Sequence, residues 1–172
     1  MRAAALIGRH LEVQQLTGLL RKAPVAGQAV VLIGDPGIGK SALLGAAGDH
    51  ARKDGFRVLT ATGVQSEAQL PFAGLHQLLR PVMNSADKLI SAHRNALLSA
   101  FGLSTSPPSE MFPIALAAEN LIAAVAADQP VALLADDVHW LDPQTQEVLT
   151  FMARRHGCAG SRPQPRPRRR ED

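Results

Sequence analysis

The chain has 172 residues, 46% of them apolar, which suffices for the core of one domain. No uncharged apolar stretch reaches the length of about 18 residues that a membrane helix needs, and residues 3–7 are too few for a secretory signal. The single cysteine, Cys158, excludes an internal disulfide and fits a reducing compartment. We therefore expect a cytoplasmic protein with no membrane segment.

The net charge of +3 lies in one short segment of the chain. Residues 1–156 carry 13 Lys or Arg and 13 Asp or Glu, whereas residues 157–172 carry five Arg and two acids. Residues 1–156 therefore lack the excess positive charge that a DNA-binding surface needs, and the chain contains no DNA-binding motif. The tail alternates Arg and Pro without apolar periodicity, so we expect it to be disordered; an alternative is that it binds polyanions without specificity.

Hydrophobic periodicity predicts a helix that leads into a buried strand near the start of the chain. Leucines at helical spacing predict a first helix that ends near Lys22 and is closed by Pro24 and Gly27. The apolar run 29–33 then predicts the first strand.

The later elements alternate in the same way. A helix and the strand 56–62 follow, then a helical insert over residues 71–127, then the apolar strand 131–135. A final helix begins after Asp142, a predicted N-cap. Apolar strands that alternate with helices indicate an α/β fold with a parallel sheet covered on both faces.

An octapeptide between the first strand and the next helix has the composition of a phosphate-binding loop. Its residues are Gly34, Asp35, Pro36, Gly37, Ile38, Gly39, Lys40 and Ser41. Small residues let successive backbone N–H groups turn inward on a phosphate, and the following helix adds the positive end of its dipole. Lys40 supplies a mobile positive charge, and the Ser41 hydroxyl is placed to bind Mg²⁺. The alternative is that Gly37 and Gly39 serve only a tight turn.

Two acids follow the strand 131–135, as in a Walker B element. Asp136 is the candidate Mg²⁺ partner, and Asp137 is the candidate group that orients or deprotonates an attacking water. The alternative is a strand end capped by solvated acids. His139 is either a catalytic or sensor residue or a packed, hydrogen-bonded one, and we expect Trp140 in the core.

Four segments together resemble one family, and the likeness covers residues 5–156. Residues 6–12 resemble the "hhGRExE" entry motif of STAND-class ATPases, residues 34–41 read as their GDPGIGKS loop, and residues 134–142 resemble their "DDaqWLD" Walker B element. Residues 70–79 resemble a segment typical of the large ATP-binding LuxR-type regulators of actinobacteria.

The resemblance implies a three-layer P-loop NTPase fold that binds ATP and Mg²⁺ as a signalling switch. In that family a winged-helix region, helical repeats and a C-terminal helix-turn-helix that binds promoter DNA follow the ATPase module. We also expect self-association through the ATPase module. The alternatives are an active P-loop NTPase, with Lys40 and Asp137 as catalytic residues, and a non-functional fragment.

The resemblance also assigns residues to the nucleotide site. Gly8 and Arg9 would lie near the adenine, while the loop and the two acids would hold the phosphates and Mg²⁺. His10 stands where the entry motif usually has Glu, so that carboxylate is absent. Asp137 is one methylene shorter than the Glu of fast relatives, and we expect slow hydrolysis.

The chain departs from the family after the final helix. In that fold the strand after Walker B lies between the Walker B strand and the phosphate-loop strand. Here residues 157–172 form an Arg/Pro string of the kind that a GC-rich gene yields when it is read out of frame. We therefore expect a partial, frameshifted or truncated domain over residues 1–156, in which the first strand lacks its inner neighbour.

Overall fold

The computed structural model describes residues 9–105 and 109–156, and this part of the chain forms six α-helices and two β-strands. They are α1 (His10–Ala26), α2 (Lys40–Lys53), β1 (Arg57–Thr62), α3 (Ala73–Leu79), α4 (Ser91–Ala100), α5 (Met111–Ala126), β2 (Val131–Asp136) and α6 (Pro143–Arg155). Short 3₁₀ helices cover Gln65–Glu67, Arg80–Lys88 and Val138–Trp140. The mixed α/β fold is confirmed, whereas Gly8 and the tail 157–172 lie outside the described residues.

The two strands form a parallel pair, and side-chain alternation along them separates two layers of helices. The register aligns Arg57 with Val131 and Thr62 with Asp136. Leu59 on β1 belongs to the larger core, whereas Ala132 on β2 belongs to a smaller cluster with α2. Successive strand residues point to opposite faces, so the sheet lies between α1 and α2 on one side and α3, α5 and α6 on the other.

The larger core is built by the helices from α3 onward. Its fully buried side chains include Leu75, Leu78, Leu97, Ile114 and Leu121. Burial of each such side chain contributes roughly 1.5–3 kcal/mol relative to exposure, so this side of the sheet holds most of the apolar stabilisation. Within residues 9–105 and 109–156, no helix combines the length and the hydrophobicity needed to cross a bilayer.

Small residues let α2 lie close against the sheet. Ala51 packs with Ala132, and a Cβ added to Gly48 would lie 2.8 Å from Cδ1 of Leu134. Moving from Ala51 back to Gly48 along α2 therefore matches moving from Ala132 forward to Leu134 along β2. The helix therefore runs antiparallel to the strands, and its N-terminus lies at their carboxyl edge.

The predicted first strand, residues 29–33, is wrong. This segment makes only an isolated bridge at Ala29, and the side chains of Val31 and Ile33 are 56% and 72% exposed. A strand persists only where a neighbour satisfies its backbone N–H and C=O groups. In the described part of the chain β1 is the one strand paired with β2, and no strand is available to lie between β2 and residues 29–33.

The first helix is longer than predicted. It passes Lys22 and Pro24 and ends at Ala26. Gly27 follows with a φ of 50°, and an added Cβ there would lie 3.0 Å from Nδ1 of His156 at the end of α6. The left-handed backbone therefore favours glycine, which ends the helix, and any larger residue would also crowd the His156 side chain.

A surface ion pair links the 3₁₀ segment Arg80–Lys88 to the end of α5. The Lys88 ammonium lies 2.6 Å from Oδ2 of Asp128, and its hydrogen bond and charge hold the pKa of that carboxyl below its usual range. A lowered folded-state pKa stabilises the fold above the unfolded-state pKa, and the contribution disappears as the pH falls through the folded-state pKa. Because Asp128 is exposed, salt also weakens the pair.

We predict that Gly63→Ala destabilises the fold severely. An added Cβ would lie 2.2 Å from the Asp137 carbonyl oxygen and 2.7 Å from the backbone nitrogen of Leu141, and neither backbone atom can move aside. The expected loss is at least about 3 kcal/mol, the upper end for overpacking. Urea unfolding followed by circular dichroism measures it, with Gly18→Ala as control because nothing lies within 4 Å of that added Cβ. Equal unfolding midpoints for the two variants would contradict the packing described here.

Candidate functional site

The predicted phosphate loop lies at the N-terminus of α2 and depends on two left-handed glycines. Gly37 and Gly39 have φ of 77° and 92°, and nothing lies within 4 Å of a Cβ added to either. The backbone conformation, and not lack of space, therefore requires glycine at both positions. The Ile38 N–H donates to the Asp35 carbonyl at 3.3 Å, which closes the turn.

Lys40 bends over the loop that precedes it. Its ammonium donates to the carbonyl oxygens of Gly34 at 2.8 Å and of Asp35 at 3.0 Å. An ammonium has three N–H donors, so one remains for an anion at the mouth of the loop while these bonds persist. Pro36 and Ser41 are exposed, and Ser41 lies in the first turn of α2.

Arg9 contacts the same loop from the start of α1. Its guanidinium donates to the carbonyl oxygen of Ile38, which joins the segment before α1 to the phosphate loop. Arg9, the first described residue of the predicted entry motif 6–12, therefore lies beside the phosphate loop. Whether Arg9 approaches an adenine stays a prediction, and Gly8 lies outside the described residues.

The two predicted acids form a strained turn at the end of β2. Asp137 has φ and ψ of 46°, and its N–H donates to Oδ1 of Asp136 at 2.9 Å. Asp137 is exposed at the carboxyl edge of the sheet. By strand alternation, Asp136 lies on the face of β2 that Ala132 and Leu134 present to α2. The carboxylate predicted to bind Mg²⁺ therefore belongs to the α2 side of the sheet.

Trp140, which we expected in the core, lies at the surface. Its side chain is 37% exposed, and its ring lies 5.1 Å from that of the exposed His139. The 3₁₀ turn Val138–Trp140 arches over Gly63, and the buried positions are taken by the next residues, Leu141 and Asp142. Because His139 is exposed, its position does not match the packed histidine that is one of the two alternatives for this residue.

Asp142 has a larger role than the predicted N-cap of α6. The cap is confirmed, since Oδ1 accepts from the Thr145 N–H at 2.8 Å. The same carboxylate also accepts from the backbone N–H groups of Phe72 and Gly74. The spacing of Asp142 and Thr145 indicates the cap, but no local pattern indicates a partner about 70 residues earlier.

The groups at this edge of the sheet fit a phosphate with Mg²⁺. The antiparallel α2 brings its N–H groups, Lys40 and the Ser41 hydroxyl to the carboxyl edge where Asp136 ends β2. Hydroxyl and carboxylate oxygens are ligands that Mg²⁺ prefers. Among the described residues, no group of three or more His, Cys, Asp or Glu is placed to hold a metal. Phosphate oxygens and water would therefore have to complete the coordination.

A protein-family model described as AAA ATPase domain matches residues 5–163 of the chain. The match contains the phosphate loop, the acidic turn and every described helix and strand. No curated protein and no solved structure matches the chain.

We predict that Gly39→Ala weakens the binding of labelled ATP about tenfold, because a left-handed alanine costs about 1–2 kcal/mol and the loop would relax away from its N–H cradle. Fluorescence anisotropy measures the affinity. Gly45→Ala is the matched control, because it lies in α2 and nothing is within 4 Å of its added Cβ. Equal losses of affinity in both variants would show that the left-handed position is not special.

Proposed function

We propose a nucleotide-dependent role for this chain from one premise: the chain belongs to the AAA ATPase domain family. Membership indicates nucleotide binding, and we propose that the nucleotide is ATP with Mg²⁺. The observation that carries the proposal is the common edge at which the N-terminus of α2 and the acidic end of β2 lie. A cradle of N–H donors beside a carboxylate is the arrangement that a metal-bound polyphosphate needs.

In this proposal each group at the edge has one role. Lys40 and the loop N–H groups bind the phosphates, and Ser41 and Asp136 hold the metal directly or through water. Mg²⁺ supplies the positive charge that neutralises the last two phosphates. The ammonium of Lys40 lies against the Gly34 and Asp35 carbonyls, and in this proposal its third N–H donates to a phosphate in the loop.

We further propose that nucleotide state, and not turnover, carries the signal, as in a STAND-type module of a LuxR-family-like transcriptional regulator. The support is the resemblance of four segments and the short acid at position 137, which leaves an attacking water farther from its base than a Glu would. In such regulators promoter DNA is bound by a separate region. This module would report ATP occupancy to the rest of the protein, with self-association as one route.

An NTPase of useful rate is the second candidate, and one observation favours it. Asp137 is exposed and held in a left-handed conformation, and its N–H is bonded to the neighbouring carboxylate. Strained residues of this kind cluster at active sites. An accessible carboxylate on a held backbone, next to the proposed metal ligand, could serve as a general base.

We predict that Lys40→Ala weakens ATP binding severely. Charge-assisted hydrogen bonds contribute about 1.5–3 kcal/mol each, so losing those to the phosphates weakens affinity about 10- to 100-fold. Titration with labelled ATP measures this, and Lys53→Ala, at the far end of the same helix, is the matched control. Unchanged affinity in Lys40→Ala would refute the assignment of the loop.

We predict that Asp137→Asn leaves ATP affinity close to that of the parent chain, because the loop and Lys40 are untouched. Multiple-turnover phosphate release then separates the two candidates. Release that is lost in Asp137→Asn but kept in Glu147→Gln, an exposed acid on α6, would identify an enzyme. Tight binding with little or no release by the parent chain is the result that the switch predicts.

A further inference from the structure

A buried carboxylate joins the start of α3 to the start of α6, directly after the acidic turn. Asp142 is 2% exposed and accepts four hydrogen bonds. The donors are the backbone N–H groups of Phe72 at 2.9 Å, Gly74 at 3.0 Å and Thr145 at 2.8 Å, and the Thr145 hydroxyl at 2.6 Å. That hydroxyl in turn accepts from the Leu75 N–H at 2.8 Å.

We call Asp142 and its donors Phe72, Gly74 and Thr145 the joint. Because every partner of Asp142 is a donor, this position requires a side chain that accepts hydrogen bonds and donates none. A carboxylate has about four acceptor positions, and here four donors use them. Its negative charge also lies at the N-termini of two helices, where the helix dipoles stabilise it. Gly74 allows this approach, because an added Cβ would lie 2.7 Å from Cδ2 of Leu141 and 2.9 Å from Cγ2 of Thr145.

Both strained residues of the described chain lie beside this joint. Within residues 9–105 and 109–156, the non-glycine residues with positive φ are Phe72, at 61°, and Asp137, at 46°. Phe72 donates its N–H to Asp142, and the Asp137 carbonyl accepts from the Trp140 N–H at 2.8 Å. A left-handed residue persists only where its surroundings hold it. Phe72 is held directly by Asp142, and Asp137 is connected to Asp142 through the 3₁₀ turn Val138–Trp140.

We propose that Asp142, together with Thr145, is a positioning residue for Asp136 and Asp137. The pair docks α3 on α6 and thereby fixes the short 3₁₀ turn that connects Asp137 to Asp142. Movement of α3 away from α6 would remove two of the four donors from Asp142 and release the acidic turn. The role in binding rests on the proposed function, whereas the mechanical role does not.

Trp140 provides a readout that needs no nucleotide. It is the one tryptophan of the chain, and it lies inside the turn. In Asp142→Asn the amide presents a donor to backbone N–H donors, and in Thr145→Val the Leu75 N–H loses its acceptor. In both variants we expect quenching of Trp140 by acrylamide to rise above that of the parent chain. Thr145→Ser keeps the hydroxyl, and Thr150→Val removes an exposed one from the same helix, so both should match the parent.

Labelled ATP provides the second readout. Affinity without Mg²⁺ should stay close to the parent value in Asp142→Asn and Thr145→Val, because the loop is untouched. The increase in affinity on adding Mg²⁺ should fall about tenfold, since the metal ligand Asp136 is no longer held. A general loss of structure would instead lower both affinities together.

The outcomes separate the two proposals. If the parent chain binds no ATP, the proposed function fails, and quenching of Trp140 alone decides the positioning role. If Asp142→Asn does not fold, the pair Thr145→Val and Thr145→Ser decides it. Two results would overturn the proposal. One is acrylamide quenching of Trp140 in Thr145→Val equal to that of the parent chain, and the other is the same increase in quenching in Thr145→Val and Thr145→Ser.

Discussion

The parallel pairing of β1 with β2 is the constraint on which the rest of the structure depends. Its register brings the carboxyl ends of both strands to one edge, and its side-chain alternation sends alternate residues to two helical layers. Because α2 packs through Gly48 and Ala51 on one of these faces, its N-terminus is fixed at the same edge. The phosphate loop and the acidic turn therefore lie at the same edge of the sheet as a consequence of sheet geometry.

The two halves of the candidate site differ in how they are held. The acidic turn is held by packing, since its backbone lies against Gly63 and the buried joint at Asp142 follows it. The phosphate loop is exposed, and it is preceded by a segment, residues 29–33, that has no strand partner in the described chain. Its shape depends on left-handed glycines and on the hydrogen bonds of Lys40 and Arg9. We infer that a ligand would order the loop more than the turn.

Elements with a local signal could be predicted from the sequence. The periodicity of α3 to α5, the apolar run of β2 and the Asp142 cap of α6 are local, and each is found. The run 29–33 has the same apolar composition as β2, yet it is not a strand, because a strand also needs a neighbour that composition cannot show. The core position expected for Trp140 is wrong for a similar reason, since Leu141 and Asp142 occupy the buried positions of that turn. The bonds from Phe72 and Gly74 to Asp142 join distant segments and have no local signature.

Amide hydrogen exchange with and without ATP and Mg²⁺ tests the central claim most directly, namely that the phosphate loop and the acidic turn form one nucleotide site. Our account predicts slower exchange both in residues 37–41 and in residues 136–142 when the ligand is added, with no slowing in either segment of Lys40→Ala. Slowing in neither segment, or in the loop alone, would contradict it.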